Sequence, residues 1–237
     1  MNRVVFSLSC AGGRASNYDS WKKKVDFTMV NLEYPGHWER WEECLCDDYT
    51  YIIEDFEGKI IDYITENPVE DVYLLGHSLG ALFAWLIADR LSMKVNIDGI
   101  ILLAMAAPSR LKKLIFKNLD DADDIKRFLK DIRQVPEKTL SSDFFMENMF
   151  PAIVNDFRLY NKVACSHNIF NKLNIPCLVL YSSEDPIIKI EDVFAWSEYA
   201  NQIEYGEMKG DHFFPYSSVQ MPLVCERITR FVNSNRC

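Results

Sequence analysis

The sequence predicts an α/β fold: a mostly parallel central sheet flanked by helices. Three observations carry that prediction. Short apolar runs alternate with longer amphipathic stretches, as strands covered by crossover helices do. Most of the runs are dense in Val, Ile and Leu without polar alternation, the pattern of strands buried on both faces. The alternation stops once, from residue 108 to about 173, where helical patterns dominate. A chain of 237 residues fits one domain of this class, so a single domain over 1–237 is expected, with a helical lid at about 109–170.

The elements follow in order. Residues 4–8 and 27–32 are apolar runs and read as the first two strands. Over 51–65, Ile52, Ile53, Phe56, Ile60, Ile61 and Ile64 fall near helical spacing. Residues 72–75 form a third strand, and a helix follows over 78–91. Residues 99–105 are the fourth strand. The insertion holds three helical patterns, at 121–133, 143–149 and 151–163. Strands at 177–181 and 203–208 then alternate with helices at 190–199 and 220–234. An all-helical insertion at this place covers a pocket as a lid; a fixed second helical layer is the other reading.

Composition narrows the partners. The net charge is −9, which gains nothing from phosphate contacts, so nucleic acid is not expected. No apolar run approaches the roughly 18 residues of a membrane span, and the N-terminal run is too short for a signal peptide. The seven cysteines are odd in number and irregular in spacing; Cys44-Leu45-Cys46 does not fit a zinc knuckle. Reduced thiols in a cytoplasm are the expectation, with no metal.

The chemistry centres on Gly76-His77-Ser78-Leu79-Gly80. G-x-S-x-G by itself is a modest signal. Here it lies between the strand ending at Leu75 and the helix beginning near Ala81, and strand–turn–helix is the context in which a nucleophilic serine is presented. The turn is sharp, so its neighbours must be small, and Gly76 and Gly80 supply the room. A serine hydroxyl needs a base. In the α/β-hydrolase fold the acid and then the histidine follow the serine. His37 and His77 come too early. His167 falls in the helical insertion, whereas His212 sits between the last strand and the last helix, where the base belongs. Asp185 stands at the end of the strand 177–181 and is the expected acid; Glu184 is its competitor. Asp211 is placed in the wrong direction to hold Nδ1. Two backbone donors are needed for the developing oxyanion: the N–H of Leu79, and one from the loop Ser9-Cys10-Ala11-Gly12-Gly13, taken as Ala11. A simple turn is the other reading of that glycine pair.

With these residues placed, the chain resembles the type II thioesterases, the stand-alone editing enzymes of nonribosomal peptide and polyketide synthesis. The likeness covers nearly the whole chain. It is carried by Ala11-Gly12-Gly13 with Trp21, by Tyr34-Pro35-Gly36 with Arg40, and by the elbow through Ala81. In the lid it is carried by Val135-Pro136-Glu137 and Phe150-Pro151 with Asn155-Asp156-Phe157, and at the end by Asp185-Pro186 and Gly210-Asp211-His212-Phe213-Phe214. The departures are Ser9 for a usual Pro, Arg14 for a common Ser, Val154-Asn155 for Arg-Ala, and Ser182 for Gly. The resemblance implies hydrolysis of acyl or aminoacyl thioesters on the phosphopantetheine arm of carrier proteins. The enzyme would be a cytoplasmic monomer needing no cofactor. Because carriers are acidic, the basic stretch Arg110, Lys112, Lys113 and Lys117, with Lys126, Arg127 and Lys130, is a docking candidate; a solvated helix face is the other reading. A carboxylesterase or lipase on free esters, an acyl transferase or cyclase, and a non-catalytic binding protein are the competing functions.

Overall fold

A computed structural model describes residues 2–112, 114, 122–132 and 135–234. Lys113, Lys117, Asp121, Arg133 and Cys237, which the sequence reading touched, lie outside the described residues. Six strands form one sheet: β1 (Arg3–Leu8), β2 (Thr28–Leu32), β3 (Asp71–His77), β4 (Gly99–Leu103), β5 (Cys177–Ser182) and β6 (Ile203–Met208). Their order is β2-β1-β3-β4-β5-β6, and every neighbouring pair is parallel.

The absence of polar alternation in the strands now has its cause. Val4, Phe6 and Leu8 of β1, Leu74 of β3, and Ile100 and Leu102 of β4 face one apolar layer. Val5, Tyr73, Leu75, Ile101 and Leu103 face the other. Successive side chains point to opposite faces, and both faces are covered. The first layer is closed by α1 (Tyr49–Glu66) and α2 (Leu79–Leu91), the second by α8 (Met221–Ser234) together with Tyr18 and Trp21. Helix α1 begins where the Asp48 carboxylate accepts the Thr50 N–H at 2.9 Å, a cap for one orphan donor of the first turn. It buries Ile52, Phe56 and Ile60, spaced four apart. Helix α2 is apolar almost all round because it is packed both on β1, β3 and β4 and on α1.

The insertion is helical, as the sequence suggested, and builds a core of its own. Helices α3 (Ala122–Asp131), α4 (Glu137–Leu140), α5 (Asp143–Asn148) and α6 (Phe150–Cys165) enclose Ile125, Leu129, Phe145, Ile153 and Phe157. The short α4 lacks the repeat that would have made it legible. Helix α6 joins the two bodies: Ile153 and Phe157 belong to the insertion's core, Leu159 and Val163 to the core under the sheet. The expected helix at 190–199 is divided into α7 (Ile190–Phe194) and a 3-10 turn over Ala195–Glu198.

Strand order positions the site. β1 lies between β2 and β3, so the chain leaves β1 to one side and returns through β3 to the other. The loops at their carboxyl ends part, and a crevice opens between them. The turn after β3 is crowded. A Cβ on Gly76 would run into the carbonyl of Gly80, and one on Gly80 would meet the carbonyls of Leu8 and Ser9. Gly58 on α1 faces open space. One substitution therefore has opposite signs at two places. Gly58→Ala should raise stability by about 1 kcal/mol through helix propensity, a gain of about 2–4 °C in Tm. Gly80→Ala should lower stability by about 3 kcal/mol through the backbone clash. Thermal melts of the two variants check this; a Gly80→Ala protein melting with the wild type would refute the close approach.

Candidate active site

Ser78 follows β3 as the cap of α2, with φ 53° and ψ −119°. A non-glycine residue there is strained by about 1–3 kcal/mol. The turn is held by the Ser78 N–H donating to the Leu103 carbonyl at 2.9 Å and by the Ala81 N–H donating to the Ser78 carbonyl at 2.9 Å. The hydroxyl thus stands at the N-terminus of a 13-residue helix, where developing negative charge is favoured.

Three side chains from three loops meet. Ser78 Oγ lies 3.0 Å from His212 Nε2, and His212 Nδ1 lies 2.7 Å from Asp185 Oδ2. The carboxylate only accepts, so Nδ1 carries the hydrogen and Nε2 is left to take the serine proton. The other Asp185 oxygen accepts the N–H groups of Ile187 at 2.7 Å and Ile188 at 3.1 Å. The imidazole and the carboxylate are almost wholly buried, with 3% and 1% side-chain exposure. Glu184 is exposed, which turns the competing acid away from the ring. Asp211 accepts the Phe213 N–H at 2.9 Å and shapes the loop. Ala11 and Leu79 line the same cavity as Ser78 and His212. Leu79 is the first residue of α2, where the N–H has no intrahelical acceptor.

Polar ties that the sequence did not disclose hold these loops. His77 Nε2 donates to the His212 carbonyl at 2.9 Å, and its Nδ1 takes the Tyr216 hydroxyl at 3.2 Å. Burial, and then the neighbouring His212, hold the His77 pKa well below its ordinary value, so the ring is neutral and its tautomer is set by these partners. Ser182 Oγ donates to the Gly210 carbonyl at 2.5 Å and accepts the Glu184 N–H at 3.1 Å, joining the acid loop to the histidine loop. Asp156 of α6 accepts the Gly12 N–H at 2.7 Å and contacts His37 Nε2 at 3.1 Å. A residue of the insertion therefore holds the loop that carries Ala11. Asn155-Asp156-Phe157 was the visible signal, but its partners lie more than a hundred residues away in sequence.

The cavity beside Ser78 is small, about 60 Å³, and apolar. Phe128 of α3 and Phe157 and Tyr160 of α6 roof it, and Met105 and Ile187 close its sides. Cys10 lies at its edge; burial, reinforced by the Asp156 charge, pushes the thiol up to about 12, so it is not a thiolate. Cys10, Cys44, Cys46, Cys165, Cys177 and Cys225 are free. Among the described residues no cluster of ligating side chains could hold a metal, and no helix is long and apolar enough to cross a membrane. Three residues of the basic stretch considered for docking are compensated: Arg110 faces Glu198 at 3.2 Å, Arg127 faces Asp124 at 3.2 Å, and Lys130 faces Glu137 at 2.7 Å.

Burial lowers the His37 pKa, but the Asp156 charge and hydrogen bond outweigh it and hold it at about 9. A raised histidine contributes stability that is complete below its unfolded pKa near 6.5 and lost as pH rises through about 9. Stability should fall across that window by an amount on the order of 3 kcal/mol. His37→Gln should flatten the slope, as read from denaturation midpoints over a pH series; an unchanged slope would place the titration elsewhere.

Comparison with known proteins agrees with this architecture. A family model described as thioesterase domain matches residues 3–232. The chain is 23% identical to linear gramicidin dehydrogenase LgrE of Brevibacillus parabrevis, over 93% of this chain and 84% of that one. It is 24% identical to the probable anguibactin biosynthesis thioesterase AngT of Vibrio anguillarum, over 92% and 87%. Among solved structures, YbtT, a type II thioesterase from the yersiniabactin NRPS/PKS biosynthetic pathway, superposes with a TM-score of 0.86 at 21% identity, covering 99% of this chain and 94% of that one.

Proposed function

The chain belongs to the thioesterase domain family, and on that premise we propose that it is a stand-alone serine thioesterase of nonribosomal peptide or polyketide synthesis. It hydrolyses acyl or aminoacyl thioesters from the phosphopantetheine arm of carrier proteins. The observation that carries the reading is the unbroken chain Ser78–His212–Asp185, with contacts of 3.0 and 2.7 Å, opening on the cavity that Ala11 and Leu79 also line. The biosynthetic setting is that of AngT and YbtT by their names. A dehydrogenase reading after the name LgrE has no counterpart in the loop after β1, which lacks the G-x-G-x-x-G spacing of a dinucleotide turn.

Ser78 Oγ attacks the thioester carbonyl as its proton passes to His212 Nε2. The negative charge on the carbonyl oxygen is met by the N–H groups of Leu79 and Ala11. Collapse expels the pantetheine sulfur, which takes the proton from His212 and leaves the acyl group on Ser78. A water molecule then gives its proton to His212 and attacks the acyl-serine; collapse returns that proton from His212 to the departing Ser78 Oγ and releases the acid. Asp185 fixes the imidazole tautomer and stabilises its cationic form. The helices over 109–170 act as the lid: their aromatic side chains roof the acyl group and keep water from it. The exposed free thiols Cys44 and Cys165 accord with a cytoplasmic enzyme, and the site, complete within one chain, accords with a monomer.

The test is mass spectrometry of carriers loaded with different acyl groups, incubated with the protein. Wild type should clear the acyl group and Ser78→Ala should not. Turnover of p-nitrophenyl esters with no action on any loaded carrier would overturn the reading. Asp185→Asn should lower kcat by about three to four orders of magnitude, while Glu184→Gln stays within about threefold. The small apolar cavity also ranks substrates. About 60 Å³ is room for roughly four to six water-sized groups, and no carboxylate or cation lines it. Propionyl and butyryl carriers should be cleared at least about tenfold faster than malonyl or glycyl carriers, since an unpaired charge would be desolvated there. Equal rates across that panel would contradict the cavity's role.

A further inference from the structure

A second cavity opens from the first. It is lined by Gly12, Gly13, Arg14, Asn17 and Trp38 on one side and by Met149 and Ile153 on the other. It shares Cys10 and Phe213 with the cavity beside Ser78. A third cavity continues outward, sharing Gly12, Trp38 and Met149 with the second and ending at Trp41 and Phe144. The three make one trough from the nucleophile to the surface. Its proportions are unequal: about 60 Å³ beside Ser78 against about 530 Å³ in the middle section. The acyl group of a substrate fits the first, and the longer leaving group must lie in the second.

Charge and exposure mark the outer end. Arg14 is exposed and stands 5.1 Å over the Trp38 ring. Among the described residues it has no carboxylate partner, in contrast to Arg110, Arg127 and Lys130. A guanidinium over an indole face retains its N–H donors, and that fork suits a phosphate. The chain carries −9, so an anionic partner must be drawn by a local cation. Beyond Arg14, Trp41 is 72% exposed and Phe144 59% exposed, an aromatic rim left open to water.

We propose that this trough is the docking surface for the acyl-carrier protein: the pantetheine arm lies along Gly12, Gly13 and Trp38, Arg14 grips its phosphate, and Trp41 and Phe144 meet the carrier. The proposal rests on the thioesterase reading above and adds the surface and the residue that select the substrate.

Three thioesters of one acyl group separate the parts: acyl-pantetheine, acyl-phosphopantetheine and the acyl-carrier. In wild type, kcat/KM should be at least about tenfold higher for acyl-phosphopantetheine than for acyl-pantetheine, as one charged hydrogen-bonding partner supplies. In Arg14→Ala that ratio should collapse toward one, and in Arg14→Lys it should be partly kept. The Trp41→Ala, Phe144→Ala double variant should lower kcat/KM for the acyl-carrier at least about fivefold relative to acyl-phosphopantetheine. These positions are exposed, and thermal melts matching wild type exclude misfolding. A ratio near one in wild type, or one unmoved by Arg14→Ala, overturns the phosphate grip while hydrolysis of all three thioesters leaves the thioesterase reading standing. A carrier preference unmoved by the double variant overturns the rim. Hydrolysis of none of the three overturns the thioesterase reading and the docking surface with it.

Discussion

The close approach of the elbow to the first strand is the constraint on which the rest depends. Gly80 lies against the carbonyls of Leu8 and Ser9, and Gly76 against the backbone of Gly80. No side chain fits between them. That contact sets the first turn of α2 directly beside the loop after β1. It therefore fixes the distance between the serine and the second backbone donor, and it holds Ser78 at φ 53°. The strain at one residue is tolerated because the strand on one side and a largely buried helix on the other leave the turn no other path.

Around this apolar frame the loops are joined by single polar contacts in buried places. His77 holds the carbonyl of His212, Ser182 ties the acid loop to Gly210, and Asp156 ties the insertion to Gly12. The side chains that make them, His77, Ser182 and Asp156, are buried, where a satisfied hydrogen bond is strong and an unsatisfied one is costly. Such ties resist the small displacements that would break the contacts joining Ser78, His212 and Asp185. They also link the site to the helical insertion. Helix α6 contributes Asp156 to the donor loop and Phe157 to the roof of the cavity, while its far end is anchored under the sheet through Leu159 and Val163.

The trough divides the work by polarity. Beside the nucleophile it is narrow, apolar and roofed by aromatic rings; farther out it is wide and reaches Arg14, which has no carboxylate partner among the described residues, and the exposed Trp41 indole. A substrate with a short apolar acyl end and a long anionic tail matches that gradient in one orientation only, which aligns the carbonyl with Ser78.

The sequence by itself determined the class of fold and marked a candidate nucleophile with its expected partners at its centre. Dense Val, Ile and Leu runs between amphipathic stretches required a sheet covered on both faces. Gly76-His77-Ser78-Leu79-Gly80 between a strand and a helix required an elbow, and the order Asp185 then His212 completed its partners. Those signals are local, carried by period and spacing within a few residues. Only the tertiary structure set Asp185 against the imidazole and left Glu184 in solvent. It alone paired His37 with Asp156, gave His77 its carbonyl, offset Arg110, Arg127 and Lys130 with carboxylates and set Arg14 over Trp38 in the wall of the trough. Each of these is a meeting of side chains distant in sequence or a choice of rotamer. Spacing along the chain carries no record of either, because both are settled by which elements pack together.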